Sequence, residues 1–560
     1  MLPLCSVRDV PLLNAKVKGA GSGRNRRTGV ARSLSIGLAH LALAGCASGG
    51  TEPSPFEEGA GTSEAATTSM GDDGSAGPED PTDAMTTGDD VSTEQPATDI
   101  RIAQVEVNQG VSIPIARDQA WVGPGERNSP LVGGRDTLMR VSWELDPNNW
   151  NPRPIEARLT LTDATGDSIE RSQVLQIDGP PELGRLDGAF FFDIASDLAQ
   201  PGLEFQVELF EGEEQAGFVP PATPPVAPAE GPAQIGFESN EMRLRVHVVP
   251  LEAAWSGCSG LPDTGAEVMG AFEESLMQRN PAVAVELTVA TTPIVLYERP
   301  SSLWDTFSAL QDRRVDDGAS PNQYYYGFLY ACGATDIDGA GGMAFGTPPA
   351  EEDFAYQRVA SGLQLPWDLP WTSTTFVHEI GHLQGLAHVA CEQPAPNANP
   401  QYPYDNGAIG VWGFGIRDFG LRNPNYARDY MSYCYDDNWV SDWTWWHTYD
   451  QIRELSSWDE EAPVDTGRVL IGVRDGERER WWVTEGAVPE PRLRGLTLEA
   501  HGESGPVELP VVQHSMSDTD AETLLIGLPD GISLDGLMLR DDAGRRRSVV
   551  PEGVTSLTTP

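Results

Sequence analysis

Lysine is almost missing from this 560-residue chain: none occurs after Lys18. Lysine and arginine together number 37 against 84 aspartates and glutamates, for a formal net charge of −47 at pH 7. A surface of that sign repels phosphate backbones, so nucleic acid is excluded as a partner. Long apolar runs are lacking too. The run "SLSIGLAHLALAGC" at 33–46 is shorter than the roughly 20 residues of a permanent membrane helix, and no span is read downstream. Cysteine is scarce, with six in all and none between Cys46 and Cys258. The spacing of the last four does not match a cysteine-based zinc site.

What is present at the amino-terminal end is an address. Arg24, Arg26, Arg27 and Arg32 precede the apolar run, the order of a secretory signal. The run ends Leu43-Ala44-Gly45-Cys46, which resembles a bacterial lipobox; the competing reading is a plain signal cut at a small residue. Residues 1–45 are therefore expected to be a lipoprotein signal peptide, with Cys46 lipidated. The product is an exported bacterial lipoprotein of the cell envelope or surface, touching the membrane only through its lipid chains. Residues 46–98 are dense in Ser, Thr, Gly, Pro and acids and poor in apolar residues, the composition of a disordered tether.

A chain of this length divides into several cores. Residues 99–242 alternate apolar and polar positions in "IRIAQVEVNQGV", "DTLMRVSWEL", "IEARLTLTDA" and "LEFQVELFEG", the pattern of an immunoglobulin-like β-sandwich. From Arg243 the pattern becomes strand, helix, strand, helix, strand, which predicts an α/β layer through residue 460. Residues 461–560 return to short alternating runs and are expected to form a small carboxy-terminal β-domain. The expected class is multidomain α+β.

Within the α/β layer stands "HEIGHLQGLAH", His378 to His388. On a helix, His378 and His382 lie at i and i+4 and project from one face one turn apart. Gly385 lets the chain leave the helix, so that His388 can return as a third nitrogen ligand. Glu379 stands beside the first ligand, where its carboxylate can contact a metal-bound water. Three imidazoles with a fourth position open describe a catalytic Zn2+ site, because structural sites close all four. A bare HExxH arises by chance in many proteins; the extended form is much rarer.

With Met431 in "RDYMSYC", the motif resembles the metzincin superfamily of zinc endopeptidases over roughly residues 243–458. The resemblance implies a metzincin-like catalytic domain with Met431 as a hydrophobic base under the three histidines. It further implies Tyr433 as an extra ligand or oxyanion donor, against a simple packed tyrosine. The implied activity is a surface-anchored endopeptidase that hydrolyses extracellular proteins or glycoproteins by zinc-activated water, with Glu379 as general base. Gly341, Gly342, Met343 and Ala344 are then the expected substrate edge strand, or else an ordinary glycine-rich turn. Four cysteines allow three pairings. Cys391 and Cys434 bracket the loop from the third histidine to the methionine turn, which favours Cys391–Cys434 with Cys258–Cys332. A cysteine-switch propeptide is absent. Calcium enters only through the acidic turn "DIDG" at Asp336–Gly339, which lacks the full calcium-loop pattern. Two other readings compete: a non-catalytic adhesion lipoprotein on the same scaffold, and a glycoprotein-directed zinc peptidase. Oligomeric state is not legible.

Overall fold

The computed structural model describes residues 94–239, 241–434, 437–458, 467–489, 495–503, 505–516 and 518–552. The expected signal peptide, its Cys46 and the tether up to residue 93 lie outside these. So does most of the expected boundary between the second and third regions, at 459–466. Folded chain begins within the expected tether: Ala97 is fully buried, and its N–H bonds to the Leu209 carbonyl at 2.9 Å.

In the first region, strand Ile100–Asn108 lies between Ser112–Arg117 and Thr137–Leu145, with Phe190–Ile194 beyond. A second sheet is built on Glu204–Glu211, Arg153–Thr162 and Ser168–Ile177. The period of two in these sequences is physical. Ile155, Ala157, Leu159 and Leu161 point inward, as do Phe205, Val207 and Leu209, and all join one core with Val105, Val141 and Phe190. The proline-rich stretch after Gly217 contributes to this sheet as well, since Val226–Ala227 and Ala233–Gln234 pair with Glu204–Glu211.

The middle region is organised by one long strand, Arg243–Trp255. It pairs in parallel with Ala284–Val289 and Ile294–Leu296 on one side and with Gln323–Leu329 on the other. Val359–Leu363 follows in parallel, and Gly342–Ala344 closes the edge antiparallel to Ala360–Gly362. Parallel neighbours need crossovers, and helices α1 (Ala266–Arg279) and α2 (Phe307–Asp316) provide them. Helix α3 (Leu369–Leu383) packs on α1 through a stacked Phe272–Phe376 pair, centroids 4.0 Å apart. Alternate residues of Gln323–Leu329 divide the two faces. Tyr324, Tyr326 and Phe328 join the core of α1, α3 and the first region; Tyr325 and Leu329 face α2. Helix α4 (Asp442–Ser457) lies against the same long strand.

The last region is two four-stranded antiparallel sheets. One, through Val469, Ile471, Val473 and Trp482, shares the core beneath α2. The other packs against its outer face through Leu498, Ala500, Leu537 and Leu539.

The α+β class is therefore corrected. Among the described residues, thirty-one strands in eight sheets stand against four α-helices of 10 to 16 residues. The physical reason is that pairing is a long-range property. Strands of two or three residues, such as Val226–Ala227 and Gly342–Ala344, carry no readable period and are created by neighbours distant in sequence.

Candidate metal centre

Helix α3 starts at Asp368, whose carboxylate accepts the Trp371 N–H at 3.0 Å, a side-chain N-cap. Its buried face holds Phe376, Val377, Ile380 and Leu383, and on that face His378 and His382 come one turn apart. The helix ends in a left-handed glycine, Gly385, with φ +84°. Leu386 N–H reaches back to Gly381 O and Gly385 N–H to His382 O, the paired bonds of a Schellman cap. That reversal carries His388 back over the helix end.

Each imidazole is oriented by its second nitrogen. Nδ1 of His378 donates to Tyr430 O at 2.8 Å, that of His382 to Leu386 O at 2.7 Å, and that of His388 to Pro396 O at 2.6 Å. A carbonyl only accepts, so every Nδ1 bears a proton, which leaves Nε2 as the nitrogen that can ligate an ion. The three Nε2 atoms converge, with separations of 3.1 Å (His378 to His382) and 3.2 Å (His382 to His388). Unprotonated, nitrogens this close repel one another, and a shared cation relieves that repulsion. Tetrahedral ligands at Zn–N distances of about 2.0–2.1 Å would be roughly 3.3 Å apart, so the spacing fits.

A fourth donor enters from far along the chain. Asp518 Oδ1 lies 3.0 Å from His388 Nε2, 3.8 Å from His382 Nε2 and 3.9 Å from His378 Nε2. His378, His382, His388 and Asp518 form a cluster that can hold a divalent ion, the one such group among the described residues. Burial alone would raise the Asp518 pKa, but the adjoining histidines outweigh it and hold the carboxylate well below its usual range. Burial drives His378 down to about 3, aided by the two neighbouring histidines.

The other residues singled out in the sequence gather around this cluster. Met431 is fully buried under α3, where Gly381 leaves room for its sulfur. Tyr433 donates its hydroxyl to Asp518 Oδ1 at 2.9 Å. Glu379 is only 2% exposed, and its pKa is pushed well up by burial and then by the Asp518 charge. Gly341 and Gly342 line the same cavity, of about 250 Å3; Met343 and Ala344 continue the edge strand and are buried. Disulfides join Cys258 to Cys332 and Cys391 to Cys434. In the acidic turn, Asp336 accepts the Gly339 N–H at 3.1 Å and Asp338 pairs with Arg478 at 2.6 Å, so that turn is satisfied by protein groups.

Two functional residues escaped sequence reasoning. Asp518 lies 130 positions beyond His388 in a polar turn, with no periodicity or motif to mark it. Asp429 is fully buried and holds the Met431 turn by accepting from Met431 N, Ser441 N and Thr444 Oγ1. Its place two residues before Met431 was its only sequence signal.

No family model matches the chain, and no curated protein does. Among solved structures, the chain is matched to a putative β-galactosidase from Bacteroides fragilis at 11% identity, with 77% of this chain and 73% of that one covered and a TM-score of 0.11. A Paenibacillus cycloisomaltooligosaccharide glucanotransferase gives 11% identity, 77% and 70% coverage, and a TM-score of 0.15. A β-glucuronidase from Parabacteroides merdae gives 8%, 80% and 76%, and 0.14. At such scores neither fold nor activity is transferred.

The metzincin assignment is corrected accordingly. It implies three protein ligands and an open fourth position. The cluster among the described residues instead has four protein donors, one from the carboxy-terminal sheets. The inferred zinc endopeptidase activity rested on that open position, with Glu379 as general base and Tyr433 as ligand or oxyanion donor, and it is withdrawn. Tyr433 instead serves Asp518. The adhesion and glycoprotein-directed readings shared the same scaffold and are withdrawn with it.

Proposed function

We propose that this protein binds one divalent metal ion, zinc by its donor set, in a closed four-ligand centre that ties helix α3 to the carboxy-terminal sheets. The observation that carries this reading is the convergence of three Nε2 atoms, each turned inward by an Nδ1–H bond to a backbone carbonyl. Imidazole nitrogen with one carboxylate oxygen suits zinc, and four ligands of this kind are the usual complement of a tetrahedral site. Second-shell bonds of this type fix tautomer and ring orientation. When bound, the ion would neutralise the carboxylate and absorb the three lone pairs. The chain's own residues do the rest: the helix sets the spacing of His378 and His382, the Schellman cap returns His388, and Tyr433 orients Asp518.

The test is elemental analysis of the purified full chain and of His382→Ala. One equivalent of zinc in the parent and under about a tenth in the variant are expected, since second-shell losses alone cost 10–100-fold in affinity and a lost ligand costs more. Equal metal content in both would refute the assignment.

A further inference from the structure

At the carboxy-terminal end of α2 lies a second cavity, of about 260 Å3, which shares no residue with the metal cluster. Arg314 and Val315 form one side of it. Glu352 and Tyr356 of the 3-10 helix Glu352–Gln357 form another, and Thr484 and Glu485 of the strand Arg478–Glu485 the third. The walls are braced by bonds of their own: Gln311 accepts from Trp482 Nε1 at 2.5 Å and donates to the Tyr356 carbonyl at 3.0 Å. Room remains at the mouth. A β-carbon at Gly318, which also lines the cavity, would meet no heavy atom within 4 Å, and Val315 is 46% exposed.

The charges around this space are unmatched. Arg314 is only 6% exposed, and among the described residues no carboxylate pairs with it. It gives one N–H to Gln323 O and another to Ser320 O at 3.2 Å, and a guanidinium has further donors to offer. Burial first, and then the neighbouring Arg358, push its pKa down to about 9. Glu352 and Glu485 line the same cavity and likewise make no ion pair among the described residues. Glu352 favours the charge of the buried Arg358 from longer range. A buried charge without a partner is costly. Here the braced walls keep the two signs apart across an open space. A guest that is only an anion would leave the carboxylates facing it, and one that is only a cation would leave Arg314 uncompensated.

We infer that this cavity binds a small aliphatic α-amino acid as its zwitterion, with the carboxylate on Arg314 and the ammonium towards Glu352 and Glu485. The aliphatic side chain lies against Val315, Ala319 and Pro321. Guanidinium and carboxylate pair through two parallel charge-assisted bonds. Pockets for drug-sized ligands occupy about 300–1,000 Å3, so the smaller space here sets a smaller guest. The zwitterion brings no net charge into the cavity. The metal reading plays no part in this inference.

The experiment titrates the full chain with L-leucine by calorimetry, and separately with leucinamide, which lacks the carboxylate, and 4-methylpentanoate, which lacks the ammonium. Leucine is expected to bind, and each analogue to bind about tenfold or more weakly, the loss of one charge-assisted contact. The double variant Glu352→Gln, Glu485→Gln should weaken leucine to the level of 4-methylpentanoate and leave the latter no weaker. Arg314→Gln should weaken leucine and leave leucinamide unchanged. Because Arg314 is buried, Val315→Trp gives a second route: it fills the mouth from an exposed position and is expected to abolish leucine binding in a chain that melts like the parent. Absence of leucine binding up to about 10 mM overturns the inference. So does equal affinity for leucine and either analogue, or unchanged leucine binding in Val315→Trp.

Discussion

Gly381 sits between the first two histidines, and a β-carbon there would press on the Met431 sulfur and stand 2.8 Å from Tyr430 Cε2. Both neighbours are fully buried. Tyr430 also supplies the carbonyl that orients His378, so a methyl at this position strains the packing and the ligand together. Overpacking a filled core costs about 1–3 kcal/mol. Gly381→Ala is expected to lower stability by that amount in thermal unfolding and to weaken metal binding in the same protein. Unchanged affinity beside lowered stability would separate Met431 packing from ligand placement. The helix period alone gives no reason for a small residue at this position; the approach of the Met431 turn explains it.

The end of α3 is where an element becomes a ligand-placing device. Gly385 takes φ +84°, a region that costs a residue with a β-carbon roughly 1 kcal/mol. Its N–H and that of Leu386 close the cap, while Leu386 O receives the His382 Nδ1 proton. Gly385→Ala is therefore expected to lower metal affinity by about fivefold, corresponding to about 1 kcal/mol, with little change in helix content. Competition with a chromophoric chelator measures the first and far-ultraviolet circular dichroism the second; a loss of helix without loss of affinity would contradict the role assigned to the cap. The return of the chain at this glycine was legible in the sequence, because a helix period that stops at glycine before another histidine has few other geometries.

At the scale of the molecule, the metal cluster is one of several attachments of the carboxy-terminal sheets. Trp482 Nε1 donates to Gln311 Oε1 at 2.5 Å, Arg480 donates to Asp305 O at 2.9 Å, and Val469, Ile471 and Trp482 share the core under α2. Those contacts do not involve the proposed ion, whereas Asp518 would lose the charge that holds it in place. Chelation of the full chain is thus expected to raise amide exchange at 518–521 and around Pro396–Asn399 by about tenfold or more, with the first region unaffected. Exchange rising evenly across all three regions would mean that the ion supports the whole fold rather than this one junction.

The sequence by itself determined what is local. The i, i+4 spacing of His378 and His382 places both on one face, Gly385 permits the reversal to His388, and alternation in runs such as "LEFQVELFEG" dictates which residues face a core. Tertiary structure alone decided what depends on contact across long separations. Short strands gained their pairing from distant neighbours and moved the fold towards β. Asp518 crossed 130 residues to join the three histidines, and it put a fourth donor where an open position was expected. A carboxylate has no period and needs no motif, since its role is set by which lone pairs it meets after the sheets have docked. For that reason three members of the cluster could be picked out from eleven residues, and the fourth could not be read at all.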